Sequence, residues 1–145
     1  MEGDFIKIHK GLLPLSWLYG LGVMVRNELF ELGVLKSRSF DVPVISVGNI
    51  TVGGSGNEPF QMKQKFPNVY VAVDKKRCEG IDKLTQDEQT KDTDVVLLDD
   101  AFQHRYVKPG INILLVDYHR LIIYDKLLPA GRLREPLSGK NRADI

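Results

Sequence analysis

The chain of 145 residues has few of the residues that build disulfide or metal scaffolds. Its single cysteine, Cys78, excludes an internal disulfide and a cysteine-based metal site, and it fits a reducing, intracellular location. Its three histidines, His9, His104 and His119, lack the spacing of a zinc-binding helix. Stability and chemistry must therefore come from packing, carboxylates and cations.

The sequence also has no excess of either charge and no long hydrophobic run. Lys and Arg number 20 against 19 Asp and Glu, so we predict no nucleic-acid partner. The uncharged stretch at residues 11–25 is too short to cross a bilayer and is interrupted by Pro14, Gly20 and Gly22. With 43% hydrophobic residues, the composition is that of one globular domain.

A glycine-rich loop follows the apolar strand predicted at residues 44–47, but it lacks two residues of the phosphate-binding pattern. That pattern is G-x-x-x-x-G-K-[ST], in which the lysine reaches the outer phosphates and the hydroxyl holds magnesium. If Gly56 is its last glycine, Asn57 occupies the lysine position and Glu58 the hydroxyl position. The backbone of a phosphate loop is predicted without these two side chains.

A second buried strand is predicted at Val95 to Leu98, and its four apolar residues indicate that both faces are covered. Asp99 and Asp100 follow at its carboxyl end, where open α/β sheets bind ligands. One carboxylate there can hold magnesium while its neighbour accepts a proton. An aspartate that only closes a turn is the alternative.

The remaining segments alternate between strand and helix patterns. Strands are predicted at residues 68–74 and 111–117, with a two-turn helix starting at Pro59 and a charged surface helix or loop around Ile81 and Leu84. This alternation predicts an incomplete α/β, P-loop NTPase-like three-layer fold with a mostly parallel sheet.

An amphipathic helix is predicted within residues 12–35 because apolar residues recur there at three- and four-residue steps. Basic residues precede it, and Trp17 and Tyr19 lie near the basic end, as in helices of the membrane interface. A helix packed on the sheet is the alternative. A secretory signal is disfavoured because no cleavage site follows.

A loop at residues 129–131 presents Arg132, Arg134 and Glu135 near the end of the sequence. An arginine on a glycine-containing loop can bind phosphate through two hydrogen bonds. A surface turn of mixed charge is the alternative.

Taken in order, these motifs resemble the tetraacyldisaccharide 4'-kinases, or lipid A 4'-kinases, of Gram-negative bacteria. The matching motifs are PVISVGNITVGG, LLDDAFQHR, ILLVD, LLPAGRLREPL and RAD. The resemblance implies a kinase that moves the γ-phosphoryl group of ATP to the 4'-hydroxyl of a lipid A disaccharide precursor with Mg²⁺. It implies a peripheral location on the cytoplasmic face of the inner membrane, with residues 1–38 as the membrane-associated region and 39–145 as a partial P-loop kinase domain.

The resemblance also implies the roles of individual residues. Asp99 would bind the metal, and it would share the catalytic role with Asp100, Arg134 and Glu135. Gln103 and His104 would contact the substrate. The nucleotide-binding residues would be Thr51, Val52, Gly53, Gly54, Ser55 and Gly56.

One departure from the family lies within the glycine loop. The family reads GGTGKTP, and a Gly-Asp-Glu-Pro loop comes much later; here Gly56 to Pro59 resembles that later loop, with Asn57 in place of Asp. An internal deletion that joins the two loops explains this, and the resemblance further implies that the family's second lobe is missing. Because an amide cannot act as the implied catalytic base, we predict impaired or absent turnover.

Three functions therefore stay open from sequence alone. The first is a kinase of low activity, and the second is a non-catalytic, membrane-associated nucleotide-binding module. The third is a defective gene product, whose unpaired strand edges and exposed apolar faces would promote aggregation.

Overall fold

The computed structural model describes residues 6–52 and 58–145. Gly53, Gly54, Ser55 and Gly56 of the predicted phosphate loop, together with Asn57, lie outside the described residues.

A parallel sheet of three strands forms the centre of the fold. The strands are β1 (Val44–Gly48), β2 (Val96–Asp99) and β3 (Ile111–Leu114), in the order β2-β1-β3. At the carboxyl ends, Val47 pairs with Asp99 of β2 and Gly48 with Leu114 of β3. The predicted α/β fold with a parallel sheet is confirmed.

The helices lie at the predicted places. They are α1 (Leu13–Glu31), α2 (Glu58–Lys65) and α3 (Arg77–Gln86). Within the described ranges, short 3-10 helices span Lys10–Leu12, Ile122–Tyr124 and Leu137–Arg142. The predicted organisation of α3 around Ile81 is confirmed, because Ile81 is buried in the core.

Two hydrophobic clusters form the core of the described residues. The first joins α3 to one sheet face through Val44, Ile81, Val96, Leu98, Ala101 and Val107. The second joins the segments that follow the strands through Ile50, Phe102, Ile122 and Leu133. Each Val, Leu, Ile or Phe side chain of these clusters contributes about 1.5–3 kcal/mol when it is fully buried.

The prediction that β2 is covered on both faces was wrong. Side chains alternate across a strand, so Val96 and Leu98 point into the first cluster while Leu97 points to the opposite face. Leu97 is 67% exposed. A run of apolar residues therefore indicates a strand but does not establish that a second layer covers it.

The strand predicted at residues 68–74 was also wrong, since this part of the chain pairs with no other strand among the described residues. Val69, Tyr70 and Val73 are exposed, and a β-prone sequence without a ladder partner gains little. The Lys63 ammonium instead binds the Pro67 and Val69 carbonyls at 2.8 and 3.0 Å. The strand predicted at residues 111–117 is shorter than expected and ends at Leu114.

Helix α1 is confirmed, and its apolar stripe faces solvent. The helix ends before Gly33, which takes a positive φ of 73°. Its buried residues are Ser16, Gly20 and Phe30. Of the predicted apolar stripe, Leu18, Leu21 and Val25 are exposed, Leu29 is half-buried, and Leu32 is exposed just after the helix. The apolar stripe therefore does not pack on the sheet. Within the described ranges, no helix is both long enough and apolar enough to cross a membrane.

Candidate active site

Asp99, the last residue of β2, and Asp100, which follows it, lie beside the end of β1. The chain turns at Asp100, whose φ is 46°, and the Ala101 N–H then donates to the Val47 carbonyl at 3.3 Å. Gly48 leaves room for this turn, because a Cβ there would lie 2.9 Å from the Phe102 nitrogen. The ends of β1 and β2 therefore form one continuous surface at the carboxyl edge of the sheet.

The segment that leads from β1 towards the glycine loop pairs with residues 129–135, which we call the arginine loop. The Val52 N–H donates to the Arg132 carbonyl at 2.8 Å, and the Arg134 N–H donates to the Ile50 carbonyl at 2.7 Å. Thr51 and Leu133 therefore form an isolated antiparallel β-bridge. Two motifs about 80 residues apart in sequence, near residues 52 and 132, thus meet through backbone hydrogen bonds.

Arg134 contacts two other predicted site residues, Asp100 and Gln103. Its Nη1 lies 2.9 Å from each carboxylate oxygen of Asp100 and 3.3 Å from Oε1 of Gln103. The Gln103 Nε2 donates in turn to the Asn49 carbonyl at 2.8 Å. The structure therefore gathers Asp100, Gln103 and Arg134 beside the start of the glycine loop.

Glu135 is buried beneath this group and is 2% exposed. Arg142 Nη2 binds its Oε1 at 2.9 Å, and the side-chain amides of Gln103 and Asn27 lie 3.5 Å from its carboxylate. A Cβ on Gly139 would lie 2.5 Å from Oε2, so the carboxylate fills its space tightly. The carboxylate of Glu135 therefore contacts Arg142, Gln103 and Asn27 and is closed off from solvent.

Asp99 differs from the other two acids of the site. Its side chain is exposed and has no side-chain partner among the described residues, whereas Asp100 and Glu135 are paired with arginines. No cluster of three or more His, Cys, Asp or Glu residues suited to a metal ion exists in the part of the chain that the structure describes. Magnesium commonly uses only one or two carboxylates together with phosphate oxygens and water, so Asp99 fits that ion.

His104 follows the aspartates, and its backbone N–H donates to the Ala101 carbonyl at 2.8 Å. Burial lowers the pKa of its imidazole, and the positive charges of Arg77 and Arg26 lower it further. The neutral form is therefore favoured at pH 7, in which one ring nitrogen accepts a hydrogen bond and the other donates one.

Helix α1 supplies site residues that sequence reasoning missed. The Tyr19 hydroxyl donates to the Arg134 carbonyl at 2.7 Å, and Arg26 donates to the Gln103 carbonyl at 3.3 Å. Burial raises the pKa of Tyr19. The spacing of Tyr19, Arg26 and Asn27 places them on one face of the helix. This shared face is the sequence signal that could have identified them.

A family profile described as Tetraacyldisaccharide-1-P 4'-kinase matches residues 8–57 and, separately, residues 55–145. The chain belongs to this family. The two matched segments overlap at residues 55–57, the stretch in which the resemblance places the join between an early and a late loop of the kinases.

Curated proteins similar to this chain belong to the same family. The chain is 51% identical to the tetraacyldisaccharide 4'-kinase of Phocaeicola vulgatus and 47% identical to that of Bacteroides thetaiotaomicron, over 190 aligned positions and 100% of this chain. It covers 52% and 50% of those proteins, so it spans about half the length of the curated relatives it matches. Since 190 minus 145 is 45, at least 45 aligned positions have no residue in this chain, which supports an internal deletion.

One solved structure has the same fold. It is the crystal structure of LpxK from Aquifex aeolicus in complex with ATP, which matches with a TM-score of 0.75 and 31% identity. The match covers 93% of this chain and 56% of that one.

Proposed function

We propose that this chain contains the ATP-phosphate end of a tetraacyldisaccharide 4'-kinase active site, with turnover far below that of a complete enzyme. The reaction would transfer the γ-phosphoryl group of ATP to the 4'-position of a tetraacyldisaccharide 1-phosphate, the lipid A precursor. The observation that carries the proposal is the meeting of Asp100, Gln103 and Arg134, of which Gln103 and Arg134 bind the Asn49 and Ile50 carbonyls just before the glycine loop. The ATP in the Aquifex aeolicus structure supports the choice of nucleotide.

Phosphoryl transfer depends almost entirely on positioning and on stabilisation of phosphate charge. We assign the phosphate cradle to the backbone from Thr51 to Gly56 and the cation to Arg134. Gln103 positions Arg134 through its Oε1, while Glu135 and Arg142 anchor the loop from below. Asp99 would hold Mg²⁺, and the bound ion would neutralise the negative charge of the phosphate oxygens. Gln103 and His104 are the proposed substrate contacts.

The low turnover follows from the sequence of the glycine loop. Without the lysine at position 57 and the hydroxyl at position 58, the loop loses a cation for the outer phosphates and a ligand for magnesium. Asn57 also cannot replace an acidic base. The same residues favour a second candidate function, a nucleotide-binding module without catalysis.

Nucleotide binding by the purified chain tests the assigned site. We expect ATP to bind more tightly with Mg²⁺ than without it. Asp99→Asn should reduce this increase in ATP affinity about tenfold or more, because a charge-assisted contact with the metal is lost. The matched control is Asp117→Asn, which changes an exposed aspartate just beyond β3, the strand on the far side of β1. Isothermal titration with and without Mg²⁺ measures both. Absence of nucleotide binding, or equal losses in the two variants, would contradict the assignment.

We further propose that residues 1–38 form a region that lies on the cytoplasmic surface of the inner membrane. The exposed stripe on α1 supports this, since Leu18, Leu21, Val25 and Leu32 would otherwise keep apolar surface in water. Trp17 is 72% exposed near the basic start of the helix, where interfacial aromatics are favoured. Residues 39–145 then form the partial kinase domain.

Sedimentation with phospholipid vesicles tests the role of α1. Leu18→Asp/Leu21→Asp should weaken vesicle binding about a hundredfold or more, because two side chains lose at least about 1.5 kcal/mol each of apolar burial. The control is Val69→Asp/Val73→Asp, which changes two exposed apolar residues outside the helix. If the unaltered chain stays in the supernatant, or if both pairs weaken binding equally, α1 is not the membrane contact.

A further inference from the structure

Helix α1 contacts the backbone of two residues that meet in the candidate site, Arg134 and Gln103. The Tyr19 hydroxyl donates to the Arg134 carbonyl at 2.7 Å, and the Arg26 guanidinium donates to the Gln103 carbonyl at 3.3 Å. Tyr19 and Arg26 are about two helical turns apart, so both side chains leave the same face of α1. One face of one helix therefore holds both sides of the contact between Arg134 Nη1 and Gln103 Oε1.

The peptide backbone of Arg134 is fixed from two directions. Its carbonyl accepts the hydrogen bond from Tyr19, while its N–H donates to the Ile50 carbonyl at 2.7 Å, in the segment that leads from β1 to the glycine loop. With both backbone polar groups held, only the side-chain torsions decide where the guanidinium lies. That guanidinium is 2.9 Å from each carboxylate oxygen of Asp100. Loss of the Tyr19 hydroxyl would remove one of the two backbone anchors.

The surroundings of Tyr19 suit it to this contact. Its side chain is half-buried, and burial raises the pKa of the phenol, so the hydroxyl keeps its proton and donates it at pH 7. The next residue, Gly20, is buried, and a Cβ there would lie 2.7 Å from Leu127 Cδ1. The helix therefore packs closely against the segment before the arginine loop, which keeps the hydroxyl within reach of that loop.

We propose that Tyr19 is a positioning residue of the nucleotide site and acts on ATP through Arg134. By holding the Arg134 carbonyl, the hydroxyl keeps the guanidinium in place to bind phosphate. This inference rests on the proposed function, in which Arg134 supplies a cation for the phosphates of ATP. Hydrogen bonds weaken steeply when their geometry is disturbed, so a small displacement of the arginine loop lowers ATP affinity.

Ser16 provides a matched control on the same helix. Its buried hydroxyl donates to the Leu127 carbonyl at 2.8 Å and accepts from the Ala130 N–H at 2.9 Å. Tyr19→Phe and Ser16→Ala thus each remove a hydroxyl that joins α1 to the region of the arginine loop. The Ser16 contacts reach no further along the chain than Ala130, four residues before Arg134.

Isothermal titration with ATP and Mg²⁺ compares the unaltered chain with Tyr19→Phe, Ser16→Ala, Arg134→Gln and the double variant Tyr19→Phe/Arg134→Gln. We expect Tyr19→Phe to weaken ATP binding about tenfold and Ser16→Ala at most about twofold. Arg134→Gln should weaken binding about tenfold or more, because a charge-assisted contact is lost. Adding Tyr19→Phe to it should cause at most about a twofold further loss, because two residues that act through one contact are not additive.

Urea unfolding of the same variants gives the structural readout. Both hydroxyl variants should lower the unfolding midpoint, since each removes a hydrogen bond between α1 and the region of the arginine loop. A merely structural role for Tyr19 would therefore weaken ATP binding alike in both.

Three results would overturn the proposal and leave the assigned function intact, provided that Arg134→Gln weakens ATP binding. They are equal losses of ATP affinity in the two hydroxyl variants, unchanged affinity in Tyr19→Phe, and a further tenfold loss in the double variant. If the unaltered chain does not bind ATP, or if Arg134→Gln binds it as tightly as the unaltered chain, the assigned function itself fails, and the role of Tyr19 fails with it.

Discussion

Replacing Glu135 with alanine is expected to lower the free energy of unfolding by about 3–5 kcal/mol, because removing one partner of a buried ion pair leaves the other uncompensated. Glu135 is 2% exposed and binds Arg142 at 2.9 Å. Arg142 also donates to the Phe102 carbonyl at 3.3 Å and lies over the Phe102 ring. The substitution would therefore loosen the second hydrophobic cluster together with the arginine loop.

Urea unfolding of matched variants measures this effect. Glu135→Gln keeps the shape of the side chain and should cost less than alanine, about 1–3 kcal/mol, because the neutral amide still accepts a hydrogen bond from Arg142. Glu79→Ala, which removes an exposed ion pair with Lys76, should change the unfolding midpoint little. If Glu135→Ala unfolds at the midpoint of the unaltered chain, the buried pair does not stabilise this site.

The second large effect concerns catalysis. Phosphoryl transfer by this chain is expected to be at least about a thousandfold slower than that of a full-length relative, the size of effect seen when one charge-stabilising group is lost. The loop lacks the lysine and the magnesium-binding hydroxyl, and Asn57 cannot take a proton from the attacking hydroxyl. Arg134, the cation that we assign to the phosphates, does not replace these groups.

A repaired loop separates the contribution of the lysine from that of the rest of the chain. Asn57→Lys/Glu58→Thr converts GGSGNEP into GGSGKTP and should strengthen ATP binding about tenfold or more, because the lysine and hydroxyl reach the phosphates and the metal. Asn57→Ala/Glu58→Ala is the control and should leave binding unchanged. If the repaired loop binds ATP no better than the control, the missing lysine does not limit nucleotide binding.

The elements near the site could be predicted from sequence because each has a strong local signal. The apolar run before Gly48 predicted β1, and the run before Asp99 predicted β2 together with its carboxyl-end aspartates. Parallel strands bring those ends to one edge, which is why the meeting of Asp100 with the glycine-loop segment was foreseeable. The family resemblance rested on the motifs that hold these residues and on ILLVD, LLPAGRLREPL and RAD.

What the sequence did not predict depends on partners that are distant in the chain. The segment at residues 68–74 has β-prone residues, but a strand needs a neighbour, and local propensity does not supply one. Leu97 is exposed because a sheet face is buried only when another helix or strand packs on it, and local sequence does not reveal that partner. The contact between Tyr19 and Arg134 spans 115 residues, so only the helical spacing of Tyr19 and Arg26 hinted at it.

The most direct measurement is transfer of the labelled γ-phosphate of ATP to tetraacyldisaccharide 1-phosphate in the presence of Mg²⁺, with the Phocaeicola vulgatus kinase assayed alongside. Our account predicts that this chain binds ATP but gives turnover at least about a thousandfold below that of the relative. Turnover within tenfold of the relative would contradict it, because the residues from Gly53 to Glu58 would then suffice for catalysis.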